Sequence, residues 1–503
     1  MAIGPDQKAA FVAFNRFSFG ARGGAYAGDL ARAASDPRGF LKAELMQPAI
    51  AHLDTPGLPQ TKTALATLFA FREQRRKERE AMAEAKTSSK APPAAPPQMP
   101  SMSEAQPSPP PPPASPAMPP AATAEAQPKP PEQPPPQKLF RAEAMARFQR
   151  AVQAPVGFVE RLVHFWSNHF CVSAAKGGFV RACAGSFERE AIRPHVLGHF
   201  ADMLKAVESH PAMLFYLDNA QSFGPQSPAG QRGRRGLNEN LAREILELHT
   251  LGVNGGYTQA DVTALARIIT GWTFAGREGR IGEPGTFVFF PMAHEPGHHT
   301  VLGKTYPAGG VEQGEAVLAD LARHPATAQH IATKLARHFV ADAPPKALID
   351  RLATVFRDTV GDLKALAIAL IDWDDAWSAP LAKMRTPEEF LLASMRAIDR
   401  IPEDPGAILG PLYTMGMPLW QPPGPNGWPD TEAAWASAEG MKLRLDVAAA
   451  IAGRAKDLIN PAELLDTVAG EAASAETRQA VARAESRQQG LGLLLMSPEF
   501  QRR

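Results

Sequence analysis

Residues 237–272 read LNENLAREILELHTLGVNGGYTQADVTALARIITGW, and the spacing of their apolar residues decides the fold class. Leu241, Ile245, Leu246 and Leu248 fall on one side of a 3.6-residue wheel, which predicts a helix over 238–251. A second helix is predicted over 258–270: Thr258 and Asp261 open it in the manner of a capping box, and Gly271 stands where a C-terminal cap would close it. The same period recurs at 139–175, 194–207, 327–340, 363–372 and 387–399, with Pro194 suited to a first helical position. Strand-like alternation is rare, and the segments 286–290 and 300–302 predict one short hairpin. The expected class is mainly α, a multi-helical array with a minor β-hairpin and no repeat of 20–50 residues.

Composition changes sharply at residues 90–138, which are Pro, Ala, Ser and Gln with hardly an aliphatic side chain and include the proline run 109–113. Such a segment buries too little apolar surface to offset its ordering entropy, so a disordered, proline-rich insert is expected, acting as a spacer or offering PxxP-like pieces for recognition. Three parts follow: an N-terminal helical part at 1–89, the insert at 90–138, and the main helical domain at 139–503. Ahead of the insert, 61–86 predicts a helix whose charged second half, REQRRKEREAMAEAK, projects into solvent.

With 503 residues, 53 Lys plus Arg and 52 Asp plus Glu, the chain has no overall charge to draw it to nucleic acid. The N-terminus lacks the basic start and apolar run of a signal peptide, and no stretch of about 20 apolar residues would make an integral membrane segment, so the expected location is cytoplasmic. Cys171 and Cys183 are too few for a disulfide framework or a four-cysteine zinc site, and two free, partly buried thiols are expected.

Chemistry is sought first on the 238–251 helix. Glu239, Arg243 and Glu247 form one i, i+4 stripe and Asn240 and Glu244 the adjacent one, spanning about 140° of arc. The stripe is either a solvated face or a buried polar seam in which glutamates ligate metal or transfer protons and Arg243 holds an anion. His249 lies in the apolar arc and should face the core. On the helix after the insert, His164 and His169 are rotated about 140° apart, so one ion cannot easily take both. His294-Glu-Pro-Gly-His298-His299 matches HExxH literally, but Pro296 and Gly297 break the helix that motif needs; a loop metal site is the surviving reading. His195 with His199, and His330 with His338 around Lys334, are expected at surfaces or interfaces. No phosphate-cradling loop, dinucleotide fingerprint or GxSxG elbow is present.

Several motifs in order identify a resemblance: FNRFSFG, HFWSNHF, PAMLFYLDNAQS, NENLAREILELHTLGVNGGYTQADV, ARIITGW, FVFFPMAHEPGHHTVLG, KLARHFV, RTPEEF, NGWPD and SPEFQRR. From Asn15 to the last residues, the insert apart, the chain resembles the bacterial proteins grouped as domain of unknown function 1800 (DUF1800). The resemblance implies a largely helical fold and an association with a sulfatase-like partner family of unknown function. It also implies an exported location for many members, which the absence of a recognisable signal here opposes. In the family's histidine loop His294, Glu295 and Gly297 match, His299 replaces a lysine, and His298 lies outside the pattern.

The functional expectation is an uncharacterised, metal-assisted enzyme in which three elements converge on one pocket. Glu244, Glu247, Arg243 and Asn240 would be its catalytic side chains, and Glu239, His164, His169 and His294 the ligands of a divalent metal. The alternative is a non-enzymatic assembly or accessory protein acting with the sulfatase-like partner. A third reading is recognition of a polysaccharide or peptide on the rings of Trp272, Trp420 and Trp428.

Overall fold

The computed structural model describes residues 5–26, 28–88, 133–233 and 236–503. The greater part of the expected insert, residues 90–132, lies outside them. The chain divides into two units, one of residues 1–68 with 135–503 and one of residues 69–134. In the second, the helix Thr61–Ser88 continues as a mostly exposed rod laced by i, i+3 and i, i+4 pairs such as Arg76 with Glu73 and Glu80.

The first unit is helical, and the only strands among the described residues form two short two-stranded sheets. Predicted helices appear at Leu363–Asp372, at Pro387–Ile398 and at Gln259–Ile268, the last with the Thr258 and Asp261 capping box in place. Three expectations need correction. The single helix predicted over 139–175 is two, Pro135–Gln153 and Phe158–His169, because Pro155 and the left-handed Gly157 (φ +91°) interrupt it. The predicted 194–207 helix begins only at Phe200, after a single 3-10 turn at Arg193–His195. The hairpin pairing differs as well: β1 (Trp272–Phe274) pairs with β2 (Phe287–Phe289), and β3 (His299–Val301) with β4 (Lys304–Tyr306). Leu302 and Gly303, both at positive φ, make the two-residue turn that fixes β3 against β4 locally.

Two hydrophobic clusters flank the Pro387–Ile398 helix. Phe390, Ala393 and Ala397 pack against Val447, Leu464 and Leu494, whereas Leu391, Leu392 and Met395 pack against Phe148, Ile408 and Leu412. That helix is thus buried nearly all round, and its polar first turn is carried inside with it. The helix Phe158–His169 is anchored differently. Glu44, almost wholly buried, accepts hydrogen bonds from the backbone N–H groups of Gly157 (2.9 Å), Phe158 (2.8 Å) and Val159 (3.0 Å). These are donors that a helix start cannot satisfy itself, and the carboxylate complements the dipole there. Glu44→Ala is expected to lower unfolding free energy by about 2–4 kcal/mol, since three donors lose a charged partner at a buried site; urea titration of the purified protein measures it.

Candidate active site

The largest concentration of buried charge lies where the helices Pro135–Gln153, Phe158–His169, Pro325–Phe339 and Pro387–Ile398 meet the loop 427–430. Arg147 donates to Glu188 at 2.7 Å and also pairs with Glu388. Arg193 holds Glu160 with two parallel bonds of 2.9 Å and reaches Glu188 at 3.0 Å. Glu389 accepts from Arg161 (2.7 Å) and Arg503 (2.8 Å), and Arg503 also lies 3.4 Å from Asp430. Every carboxylate in this mesh therefore has a cation, as burial of charge requires.

Inside the mesh is a cavity of about 70 Å³ lined by Arg147, His164, Cys171, His338, Glu388 and Asp430, with Trp420 and Trp428 among its walls. His338 lies 2.7 Å through Nδ1 from Asp430 Oδ2. Asp430 is ionised: burial pushes it up, but His338, Arg503 and Lys383 outweigh this and hold it at about 2. A carboxylate can only accept, so His338 Nδ1 carries the proton and Nε2 keeps its lone pair. Burial, with Arg503 and Arg161 opposing the pull of Asp430, lowers His338 to about 4, so the ring is neutral at pH 7. Its Nε2 is buried and has no hydrogen-bond partner, and the same is true of His164 Nε2. His164 is also held well below its usual range, by burial first and then by Arg147. Its Nδ1 lies 3.7 Å from Glu388, too far for a hydrogen bond. Glu388 is shifted the other way from Asp430, raised by burial despite Arg147.

Local structure sets these groups in place. Glu388 and Glu389 occupy the first turn of a helix capped by Thr386, where negative charge is favoured. Asn168 clamps the loop by donating to Trp428 O (2.9 Å) and accepting from Trp428 N (2.8 Å). Gly427 has φ +76°, and a Cβ there would stand 2.4 Å from Asn168 O, so only glycine fits beside the clamp.

Of the catalytic and metal-ligand side chains expected from the sequence, only His164 lines this cavity, together with Trp420 and Trp428 of the recognition reading and with Cys171 and His338. His169 is buried elsewhere, bonded to His249 O at 3.1 Å. His294 donates from Nδ1 to Thr270 O (2.9 Å), and Glu295 accepts from Gln226 N, which makes the histidine loop a structural tie. Glu239 joins Arg243, Gln259 and Thr263 at a partly exposed surface, Glu247 accepts from Tyr257, and Asn240 is exposed. Glu244 is half-buried, raised by that burial, and has no hydrogen bond or ion pair among the described residues. The expected convergence is thus not what the structure shows. Among the described residues no three His, Cys, Asp or Glu side chains are placed to hold a metal ion, so the donor set does not fit a resident divalent metal. His249 does face the core, where its Nδ1 lies 2.7 Å from the buried Glu208. Cys171 and Cys183 are both free and buried. Trp272 is fully buried and cannot be a platform.

The fold and cavity define a mainly helical protein with a buried centre of histidines and carboxylates. The chain belongs to the DUF1800 family: residues 12–502 match the family described as "Protein of unknown function (DUF1800)". No curated protein and no solved structure matches it. Among the described residues no helix is long and apolar enough to cross a membrane.

The neutral histidines make stability depend on acid. The folded pKa of His338, about 4, lies below the ordinary 6.5. Between these values the unfolded chain binds a proton that the folded one refuses, so stability falls as pH falls. His338 alone contributes a loss of roughly 3 kcal/mol across that window. Urea titrations at pH 7, 5.5 and 4 should show the slope, and His338→Asn should flatten it.

Proposed function

We propose that the protein is an enzyme, that this cavity is its active site, and that it works by general acid–base chemistry. The supporting observation is the pair of buried imidazole nitrogens, His338 Nε2 and His164 Nε2, left without partners in one cavity while Asp430 fixes the tautomer of His338. Unsatisfied buried polar atoms are costly, and a substrate group that hydrogen-bonds to them explains their retention. In this reading His338 accepts a proton from the reacting hydroxyl or water, and Asp430 stabilises the imidazolium so formed. Glu388, pushed up by burial, is the proton donor. Two carboxylates driven in opposite directions within one site is the arrangement by which acid and base roles are divided.

The polar residues expected on the 238–251 helix have no part in this reading, and neither does the metal. Absence of turnover by the cavity residues would favour the two non-enzymatic alternatives, an accessory role beside a sulfatase-like partner or recognition of a polysaccharide or peptide.

The test is a screen of wild-type protein against glycoside, ester, amide and phosphoester substrates, repeated with His338→Ala and Glu388→Gln. Turnover should fall by 100-fold or more in each folded variant, in line with the 10²–10⁴ usual for one acid–base group. The pH profile should be bell-shaped, with an acid limb near pH 4 from His338 and an alkaline limb from Glu388, displaced upward from the usual carboxylate range by its burial. Equal activity in the variants, or none in the wild type, rejects the assignment.

A further inference from the structure

The polarity of the cavity wall restricts what can enter it. Arg147 is the one Lys or Arg side chain among the lining residues, and it is already engaged by Glu188 and Glu388. Glu389 and Asp430, both held below the usual carboxylate range, line the same wall, so an anionic ligand would meet these two carboxylates and no free cation. The unpartnered atoms ask for something else. His338 Nε2 must accept, and the indole Nε1–H of Trp420, buried and without a partner, must donate. A hydroxyl can do either, so a ligand with several hydroxyls answers both. A carboxylate, phosphate or sulfate cannot donate, and an ammonium cannot accept.

The aromatic walls point the same way. Trp420 is held at φ +50°, a conformation that a bulky residue adopts only when its surroundings impose it. Its carbonyl is tied to Ala174 N at 2.7 Å, and its ring stands edge-on to Phe140 with centroids 5.6 Å apart. Trp428, clamped through its backbone by Asn168, supplies a second indole. Both rings are part-buried: the Arg147 guanidinium lies 5.7 Å over the Trp420 ring and Trp435 stands 6.1 Å from Trp428, so each ring has a packed side and a partly exposed remainder. An indole presents an apolar face beside a polar edge, which suits a sugar ring with its C–H faces and rim of hydroxyls. The space of about 70 Å³ is small, enough for a hydroxyl or hydroxymethyl group with the ring left against the tryptophans.

We infer that the cavity takes an uncharged, hydroxyl-rich ligand of the saccharide class beside Trp420 and Trp428, its hydroxyls meeting the unpartnered His338 Nε2 and Trp420 indole N–H. This rests on the cavity being the active site. A site built to bond a hydroxyl discriminates strongly against ligands that lack one, because its buried atoms are then left unpaired.

The test titrates the full chain, by tryptophan fluorescence and calorimetry, with the neutral probes cellohexaose, maltohexaose, mannohexaose and N-acetylchitohexaose. Hexagalacturonate serves as the anionic counterpart and the chitosan hexamer as the cationic one. At least one neutral hexaose should bind, with the charged counterparts at least tenfold weaker. Trp420→Phe, which keeps a ring and removes the N–H, should weaken that binding about tenfold. Trp428→Leu, the second variant should Trp420→Phe fail to fold, should weaken it similarly. No binding of any neutral hexaose, preference for a charged one, or unchanged affinity in the folded variants overturns the inference. If the neutral hexaoses do not bind but turnover of another substrate is lost in His338→Ala, the active-site reading stands and the saccharide assignment falls. If a hexaose binds and no substrate is turned over, the catalytic reading falls and saccharide binding stands.

Discussion

Glu389 is the point on which the arrangement turns. Its two oxygens separately hold Arg161, on the helix that carries His164, and Arg503, on the segment that pairs with Lys383 beside the Pro387–Ile398 helix. Arg503 in turn reaches Asp430, which orients His338. One carboxylate, held well below its usual range because these two guanidiniums outweigh its burial, therefore links three helices and a loop. The geometry of the cavity follows from that junction, and its chemistry from what the junction leaves free: two imidazole nitrogens and one indole N–H.

A mesh of this kind is a poor source of net stability, because desolvating each charge costs about as much as pairing it returns. Its value is in position. Apolar side chains of similar size would fill the same volume but would tolerate sliding, whereas the bidentate pairing of Arg193 with Glu160 and the forked hold of Glu389 allow few arrangements. Hydrophobic packing on both flanks of the Pro387–Ile398 helix supplies the cohesion, and the ion pairs set the register within it.

The helical class was legible in the sequence because apolar periodicity and capping residues are local signals: Thr258 with Asp261 acts within one turn. Strand pairing was not, since Trp272 and Phe289 meet across an intervening loop and nothing local distinguishes them from Thr300 as partners. The 238–251 helix shows a subtler limit. Its second half, Ile245–His249, is a π-turn, which changes the rotation between the residues before and after it, so a wheel at 100° per residue loses its phase there.

The site was legible only as fragments. His164 was found, Trp420 and Trp428 were named only as candidate platforms, and His338 was noticed for its spacing from His330, but the helix face gave no reason to prefer it. Glu388 and Asp430 lie 241 and 283 positions beyond Arg147, and only folding makes the three neighbours. The polar stripe of Glu239, Arg243 and Glu247 misled for the opposite reason: its groups satisfy one another and Gln259, Thr263 and Tyr257 near the surface, so a pattern dense in charge carries no unmet bonding. The signal that separates the two places is not the number of charged residues but whether burial leaves any polar atom unpartnered. By that measure the wall formed by His164, His338 and Trp420 has an unanswered demand for hydrogen bonds, and the 238–251 stripe has little.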